Sequence, residues 1–451
     1  MIRLHTTGQK SESALRCSAF TTTAGRPRSP RFGAGSGVGL GLRRLFAPFL
    51  AAQKGRPAAG DTQFGNRKHK GIREMPSGRI RLFFCSLLLS LGQLSAQTFW
   101  GNTEMPIPAD WTGGIAFGSA IELSGNIAAI AAERHYLDEN GANLLPSAGA
   151  VYVFEKGVNG WTEKQKLVSP DRSEGSWFGS AIHLTSEQLL IGALYSNLGL
   201  PGDSMMDRAG SVYVFEPDSS GNWSFVQKLV ASDRQPHDFF GASIDVHDSL
   251  AIIGAYGKDP SGPGGDAIIQ AGGAYIFQLN PDGLWTEIAS LSEPDTALQD
   301  WYGFEVAIQG NTAVVGAPQE DEDSLNTNTL INTGAAYVYQ QQADGSWPLL
   351  QKLVGPARDY PADQMGRSMA IQGDELVIAR PVRRVQDSSG TFFFGVGDLT
   401  IWHQNPNGYF ELDTTLHPID SELKHSIWLG TVPSALTFEG DWLLAGGGKG
   451  S

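Results

Sequence analysis

The chain has 451 residues, a formal net charge of −14, 56 glycines and two cysteines. This length excludes a small disulfide-stabilised scaffold and is sufficient for one large domain or two to three ordinary ones. The acidic balance argues against nucleic acid or an anionic membrane surface as the main partner. Abundant glycine together with 22 Phe, 11 Trp and 11 Tyr indicates a turn-rich β protein.

The first 96 residues differ in composition from the rest of the chain. They carry 16 of the 33 basic residues, only 3 of the 47 acidic residues, and both cysteines, Cys17 and Cys85. Residues 1–74 have no sustained apolar period and are predicted to be disordered. We favour the interpretation that they are a wrongly assigned extension upstream of a start at Met75; an organelle transit peptide and a genuine disordered extension are the alternatives.

Residues 75–96 have the order of a secretory signal peptide. Arg79 and Arg81 precede an apolar run over 82–91, and Ala96 is the expected last residue before cleavage. The run is too short to span a bilayer as a helix, which needs about 20 residues. The mature chain, 97–451, has a net charge of −27 and no cysteine. We therefore expect a secreted or cell-surface protein that is held together by packing alone.

The remainder of the chain is one sequence unit repeated at a nearly constant period. An aromatic or apolar residue followed by glycine recurs six times, and these glycines are 61 to 64 residues apart. A strand-like apolar run and a single aromatic residue keep the same period, so three independent features agree. The repeats start near positions 117, 178, 240, 302, 365 and 429, and the single aromatic residues are Trp161, Trp223, Trp285, Trp347 and Tyr409.

Each unit resolves into four short strands, which we name A to D in chain order. In the second unit they are predicted over 178–184, 188–193, 211–216 and 223–230. The C–D connections are pairs such as Asp282-Gly283, which tolerate the positive φ angles of tight hairpins. Four antiparallel strands in a repeat of about 62 residues predict an all-β fold, a β-propeller with four-stranded blades.

The two ends of the repeat region predict an incomplete ring. A lone strand D is expected near 100–107, because Trp100 precedes Phe117 by the same 17 residues that separate Trp161 from Phe178. Five full units follow, and the sixth contains only strands A and B before the sequence stops at Ser451. We therefore expect a chain that is truncated in its sixth repeat.

The repeat motifs resemble those of a known family. Phe-Gly at the start of each unit and Gly-Ala-Pro at 316–318 are similar to the FG-GAP repeat of the integrin α-chain propeller. The run 228–233 that leads into Phe240-Gly241 is similar to units of bacterial secreted FG-GAP proteins. This resemblance covers residues 100–446 and implies a propeller of seven blades when complete, with a role in binding or adhesion but no fixed ligand.

The calcium site of that family is not expected in this chain. Calcium-binding repeats carry an Asp-rich A–B loop, because the ion needs six to eight converging oxygens. The A–B connections here are tight turns with few carboxylates, such as residues 124–126 and 309–311. No metal or other cofactor is therefore predicted. A cation site at Asp321 and Asp323, in the acidic B–C loop 320–323, is a weaker alternative to a solvated acidic loop.

Candidate ligand contacts lie in the long connections. The up-and-down strand order places the B–C loops and D–A linkers on one face of the disc, and long loops on a rigid scaffold commonly carry binding residues. The B–C loops are 133–147, 194–208, 256–270, 318–333 and 381–396. The non-repeated candidates are His135, Tyr195, Tyr256, Tyr360, Arg383 and Arg384.

Two features of the linkers repeat with the blades. An aromatic residue stands at or before the Phe-Gly position, and Trp177 and Trp301 among these are further candidate contacts, although packing between blades would also explain them. An acid recurs at Asp171, Asp233 and Asp295, where capping of a turn is the expected role.

The sequence lacks the motifs of common enzyme classes. There is no H-E-x-x-H, no G-x-S-x-G and no dinucleotide fingerprint, and we therefore predict that the chain is not an enzyme. We expect a monomeric secreted or surface module that presents its loops to an extracellular protein or glycan, without nucleic acid or membrane insertion. The alternative hypothesis is a secreted glycosidase-like hydrolase with carboxylates on the loop face.

Overall fold

A computed structural model describes residues 106–260, 268–293, 297–323, 331–356, 362–383, 397–416 and 436–438, and the backbone of several short strands outside these ranges. All regular secondary structure in the described residues is β. No helix in this part of the chain is long and apolar enough to cross a membrane. The lone strand D predicted from Trp100 falls largely outside the described residues.

Five four-stranded antiparallel sheets follow one another along the chain, each with the strands in the order A-B-C-D. We call them blades 1 to 5. Strand A is Phe117–Ser124, Phe178–Leu184, Ile244–His247, Glu305–Gln309 and Met369–Gln372. Strand B is Ile127–Ala132, Leu189–Ala193, Leu250–Ala255, Thr312–Ala317 and Glu375–Arg380. Strand C is Ala150–Gly157, Ser211–Pro217, Gly273–Leu279, Ala335–Gln340 and Asp398–Gln404, and strand D is Gly160–Leu167, Trp223–Leu229, Trp285–Leu291, Leu349–Val354 and Phe410–Leu416.

The remaining strands pair outside these five blades. One sheet contains, in spatial order, Ile80–Phe83, Ile2–Thr6, Trp442–Ala445 and Leu436–Glu439. Two-stranded pairs join Val385–Gln386 to Phe392–Phe393 and Ile427–Leu429 to Gly447–Lys449. Leu436–Glu439 contacts strand A of blade 5, as expected for the first strand of a sixth repeat.

The blades are arranged radially around their first strands. Strand A of each blade contacts strand A of the next blade, whereas strand D pairs only with strand C of its own blade. The described strand B residues are mostly buried, and the exposed residues concentrate on strand D. The prediction of an all-β propeller with four-stranded blades is confirmed, and the strand boundaries predicted for the second unit agree with the structure within one residue.

The hydrophobic core lies between adjacent blades. One cluster, for example, joins Val151 and Val153 of blade 1 to Phe178, Ile191 and Tyr213 of blade 2. The same pattern recurs between blades 2 and 3, 3 and 4, and 4 and 5. Because each blade buries its apolar faces only against its neighbours, stability depends on the fit of the blade interfaces.

Glycines of neighbouring repeats make the closest contacts at these interfaces. A Cβ added to Gly192 in strand B of blade 2 would lie 2.2 Å from the carbonyl oxygen of Gly241, which begins blade 3. At Gly254 the corresponding distance, to the carbonyl oxygen of Gly303, is 2.0 Å. Any side chain at these positions would overlap the next backbone. The Phe-Gly and Gly-Ala motifs are therefore two halves of one interblade contact.

A glutamine clamp adds hydrogen bonds across the outer part of three interfaces. Gln165 of blade 1 donates to the carbonyl of Trp223 at 2.9 Å and accepts from its backbone N–H at 2.7 Å. Gln227 holds Trp285 in the same way, and Gln351 holds Phe410. At the interface of blades 3 and 4, the equivalent position is Ala289, so this clamp is missing there.

Blade 5 departs from the predicted repeat at its single aromatic residue. Phe410 is buried and held by the clamp, whereas Tyr409 is 45% exposed. The assignment of Tyr409 as the equivalent of Trp161, Trp223, Trp285 and Trp347 was therefore wrong by one residue. The cause is one additional residue between the two repeats, since Gln351 and Phe410 are 59 positions apart and the other two pairs are 58 apart.

Candidate functional site

The residue before each Phe-Gly position adopts the same left-handed backbone conformation in all five blades. The φ angles lie between 54° and 58° at Ala116, Trp177, Phe239, Trp301 and Gln364. Bulky side chains are rare in this conformation. The architecture therefore requires the backbone conformation but not a ring, because alanine and glutamine occupy the position in blades 1 and 5. Three blades carry a large aromatic ring where the fold does not demand one.

These rings belong to a continuous aromatic array across blades 2, 3 and 4. We define the array as Trp177, Tyr195, Phe239, Tyr256, Trp301 and Phe304. Neighbouring ring centroids are 4.7 Å apart for Trp177 and Tyr195, 5.4 Å for Tyr195 and Phe239, and 5.2 Å for Phe239 and Tyr256. Tyr256 lies 5.9 Å from Trp301 and 5.4 Å from Phe304. One connected set of rings thus spans three blades.

The array lies near the inner ends of the blades, on the face that carries the B–C loops and D–A linkers, which we call the loop face. Three rings precede a Phe-Gly position or its equivalent. Tyr256 directly follows strand B of blade 3, and Tyr195 is the second residue after strand B of blade 2. Phe239 and Phe304 are only 8% and 9% exposed, and they pack against the more accessible rings. Trp177, Tyr195, Tyr256 and Trp301 remain half-buried and offer accessible aromatic surface.

Four sequence-predicted candidates therefore meet in one place: Trp177, Tyr195, Tyr256 and Trp301. Phe239 occupies the same linker position as Trp177 and Trp301 but is not among the predicted contacts, and neither is Phe304. The sequence did contain a signal for Phe304, since the residue after Phe-Gly is Ser119, Ser180 and Ala242 in the first three blades but Phe304 and Arg367 in the next two. A large residue directly after Phe-Gly, where the first three blades have a small one, thus indicates the location of the array.

Three arginines stack on rings of the array. The guanidinium carbon of Arg134 lies 5.2 Å from the Trp177 ring centroid, that of Arg208 lies 5.4 Å from Tyr195, and that of Arg367 lies 5.1 Å from Phe304. These distances fit cation–π contacts, which also hold the planar guanidinium in place. Arg134 and Arg208 are exposed, so the array combines aromatic surface with accessible positive charge.

The other predicted contact residues lie elsewhere. His135 is 1% exposed, and its Nε2 lies 3.3 Å from the Asp110 carboxylate. Burial and the charge of Lys166 lower the pKa of His135, which favours a neutral ring. Arg383 faces Asp363 at 3.4 Å within blade 5. Tyr360 and Arg384 lie outside the described residues.

The repeated linker acid has a different role from the turn cap that the sequence predicted. Asp171 accepts hydrogen bonds from the Tyr213 hydroxyl at 2.6 Å and from the Lys228 ammonium at 2.6 Å. We call this an acid–tyrosine–lysine unit. Blade 1 has the same unit in Asp110, Tyr152 and Lys166, and blade 3 has Asp233, Tyr275 and Lys258. Each unit ties a D–A linker to strand C of the following blade, so the acid is structural. Asp295 lies outside the described residues.

Blade 4 has an acidic cluster beside the tyrosine of its strand C and the lysine of its strand D. Glu320 accepts from the Tyr337 hydroxyl at 2.8 Å and lies 3.3 Å from the Lys352 ammonium. Carboxylate oxygens of Glu293, Asp300 and Glu320 lie within 4.8 Å of one another, and all three residues are buried. This oxygen set has the composition that a hard cation prefers. The weak cation site predicted at Asp321 and Asp323 stays a prediction. Asp321 accepts from the Asn332 backbone N–H at 2.6 Å.

The carboxyl groups in and beside the acidic cluster have different pKa values. Burial raises the pKa of Asp300 to about 7 and raises that of Glu293 well above its usual range. A hydrogen bond to Glu320, together with burial, raises the pKa of Glu322 to about 7. Burial also acts to raise the pKa of Glu320, but hydrogen bonds with Glu293 and Glu322 and the charge of Lys352 lower it to about 2. The cluster therefore retains protons near neutral pH beside one ionised carboxylate.

Comparison with protein families identifies the repeat. The model described as FG-GAP repeat matches residues 161–215, 223–277 and 285–339. These three units are FG-GAP repeats. Each match runs from strand D of one blade through strand C of the next, so it contains one Phe-Gly position and one Gly-Ala motif, and the glycine contacts described above join one match to the next. No curated protein matches the chain in sequence.

Solved structures with similar folds are only distantly related in sequence. A crystal structure of a protein from Lactobacillus plantarum is 8% identical, with a TM-score of 0.38, over 65% of this chain and 68% of that chain. The periplasmic gluconolactonase PpgL of Pseudomonas aeruginosa is 13% identical, with a TM-score of 0.38, over 66% of this chain and 72% of that chain. Because a gluconolactonase is among the similar structures, the prediction that excluded enzymatic activity for this chain was wrong. At this distance the similarity assigns no activity to the chain.

Proposed function

We propose that this FG-GAP repeat protein is a secreted or cell-surface binding protein whose loop face binds an extracellular protein or glycan. The observation that carries the proposal is the aromatic array, which joins three blades although the fold requires no ring at those positions. Tryptophan, tyrosine and arginine are the residues that most often dominate binding energy at interfaces. Export is supported by the signal-peptide pattern of residues 75–96 and by the absence of cysteine from 97–451.

The proposal is tested with residues 97–451 in a combined glycan-array and pull-down screen. A ligand found in the screen is then titrated against Trp177→Ala, Trp301→Ala and the control Tyr409→Ala. Tyr409 is an exposed aromatic residue beside a C–D turn, on the opposite face of the disc. We expect the two loop-face variants to lose at least tenfold in affinity and the control to bind like the wild type. Equal affinity of all variants would refute the array as the binding site.

A second candidate function is a glycosidase-like hydrolase, and the acidic cluster favours it. Carboxyl groups whose environments separate their pKa values are typical of acid–base pairs, and Asp300 and Glu320 have this property on the loop side of blade 4. Both side chains are buried, so a substrate would reach them only if the surrounding loops moved. Turnover of a glycoside substrate panel that is abolished by Glu320→Gln would support this candidate, and no turnover with the wild type would reject it.

A further inference from the structure

The arginines of the array differ from the other described arginines in what they contact. Arg172 donates to the backbone carbonyls of Asn143 and Tyr136, and Arg380 forms a bidentate pair with Asp398 at 2.7 and 2.6 Å. These side chains hold loops and strands inside the protein. The guanidinium groups of Arg134, Arg208 and Arg367 instead lie over rings of the array.

The charges of Arg134 and Arg208 are only weakly balanced by acids in the described residues. Arg208 is exposed and forms no ion pair with a carboxylate in the described residues. Arg134 has only the adjacent Glu133 at 3.8 Å, with its own side chain 54% exposed. Arg367 donates to the Gln364 side-chain carbonyl at 2.8 Å, which positions it. A guanidinium fixed by stacking keeps the edge geometry that binds a carboxylate or sulfate through two N–H groups.

The positive charge at the array runs against the charge of the whole chain. Residues 97–451 have a net charge of −27, and only nine of them are arginine. Three of these nine lie on one aromatic array. In an otherwise acidic protein, exposed arginines beside accessible rings favour anionic ligands at that place.

The position of the array favours a narrow ligand. The accessible rings are half-buried and lie near the inner ends of the blades, in D–A linkers and at the beginnings of B–C loops. A flat protein surface has poor access to these half-buried side chains. A sugar chain is narrow enough to place the C–H faces of its successive pyranose rings against the aromatic side chains. Since neighbouring rings are about 5 Å apart across three blades, several sugar units can bind at once.

Building on the proposed function, we propose that the ligand of the loop face is an anionic polysaccharide. Sugar rings stack on Trp177, Tyr195, Tyr256 and Trp301, and the acidic groups of the sugar pair with Arg134 and Arg208. The shared chemistry is a negatively charged group on a pyranose chain, either a uronate carboxylate or a sulfate ester.

The test uses three ligands with one sugar backbone: an oligogalacturonate, the same oligosaccharide with its carboxyl groups reduced to alcohols, and the sulfate ester of that reduced form. Residues 97–451 are titrated with each by calorimetry at low and high salt. We expect at least one charged ligand to bind tenfold or more tightly than the neutral one, with an affinity that falls as salt increases. The better charged ligand identifies the acidic group.

Variants separate the inference from the proposed function. Arg208→Gln should lose about tenfold in affinity for the charged ligand and leave the weaker binding of the neutral ligand unchanged, whereas Trp301→Ala should weaken both. Equal binding of charged and neutral ligands would overturn the anionic specificity but retain a glycan-binding array. If none of the three ligands binds, and the screen yields a protein ligand sensitive to Trp301→Ala, the anionic-glycan inference is wrong and the proposed binding face stands.

Discussion

Two regions lie side by side at the inner ends of the blades: the interface between blades and the aromatic array on the loop face. At the interface the same small residues recur, and Gly192 and Gly254 meet the glycines of the next Phe-Gly position in the same geometry. In the array the backbone conformation recurs but the side chains do not, since Ala116 and Gln364 stand where blades 2 to 4 have rings. Repetition thus marks what the fold requires, and variation within a fixed backbone marks a candidate for function.

The same contrast separates the acid–tyrosine–lysine units from the acidic cluster. In blades 1 and 2 one carboxylate is matched by one tyrosine hydroxyl and one ammonium group. In blade 4 one lysine, Lys352, lies near several carboxyl groups, and these retain protons instead. The additional buried carboxyl groups of blade 4 therefore titrate near neutral pH.

The largest effect is expected from filling the glycine contact at a blade interface. Gly254→Ala places a Cβ about 2 Å from the carbonyl oxygen of Gly303, which the packed backbone cannot easily accommodate. We expect the free energy of unfolding to fall by about 3 kcal/mol, measured by urea denaturation. The control Gly113→Ala has no atom within 4 Å of its new Cβ and should leave stability nearly unchanged. Equal stability of the two variants would contradict the role assigned to the motif.

In the array, by contrast, substitutions should strongly reduce ligand affinity and change stability little. Combining Trp177→Ala with Trp301→Ala removes rings from positions where Ala116 shows that alanine is compatible with the backbone. We expect a loss of affinity of roughly 100-fold, since buried aromatic contacts dominate binding energy, with a change in unfolding free energy of about 1 kcal/mol or less. If the double variant is destabilised as much as Gly254→Ala, the two tryptophan rings serve to stabilise the fold and not to bind ligand.

The acidic cluster predicts a specific dependence of stability on pH. Burial raises the folded-state pKa of Asp300 to about 7, so the folded state binds this proton more tightly than the unfolded state does. The contribution of Asp300 to the free energy of unfolding is therefore fully present below the unfolded-state pKa and is lost as the pH rises through about 7. In Asp300→Asn the side chain is neutral at every pH and can still accept from the Ala297 N–H. We expect the wild type to lose about 2 kcal/mol relative to this variant between pH 5 and pH 8, measured by denaturation at each pH. Parallel pH profiles would contradict the assignment.

The smallest effects are expected at the glutamine clamp, with opposite signs at two interfaces. Gln227→Ala removes two hydrogen bonds to Trp285 and should lower the unfolding free energy by about 1 kcal/mol. Ala289→Gln introduces the missing side chain opposite Trp347 and should raise it by a similar amount. Thermal denaturation of both variants measures the difference. Destabilisation by Ala289→Gln would mean that blade 4, whose strand D begins later at Leu349, does not offer the partner groups.

The sequence was sufficient to predict the blades because each depends on local patterns repeated five times. Strand lengths, hairpin pairs and the Phe-Gly spacing are all readable along the chain, and they located the strands of the second unit within one residue. The error at Tyr409 arose where one inserted residue shifted the period, because a fixed spacing cannot distinguish Tyr409 from the adjacent Phe410.

The candidate site was predicted only in part, because it depends on contacts between blades. Trp177 and Trp301 were selected from linkers, but that they form one surface with Tyr195 and Tyr256 follows from the radial arrangement of strand A. The acidic cluster is less readable still, since Glu293, Asp300 and Glu320 come from the end of strand D, a linker and a B–C loop. His135 looked like a free loop histidine, and only the structure places Asp110 against it.

Hydroxyl-radical footprinting with and without bound ligand shows directly whether the loop face binds through the array. If it does, oxidation of Trp177, Tyr195, Tyr256 and Trp301 falls on binding, while oxidation of Tyr409 on the opposite face is unchanged. Protection of Tyr409 with no change at the four array rings would show that the ligand binds elsewhere.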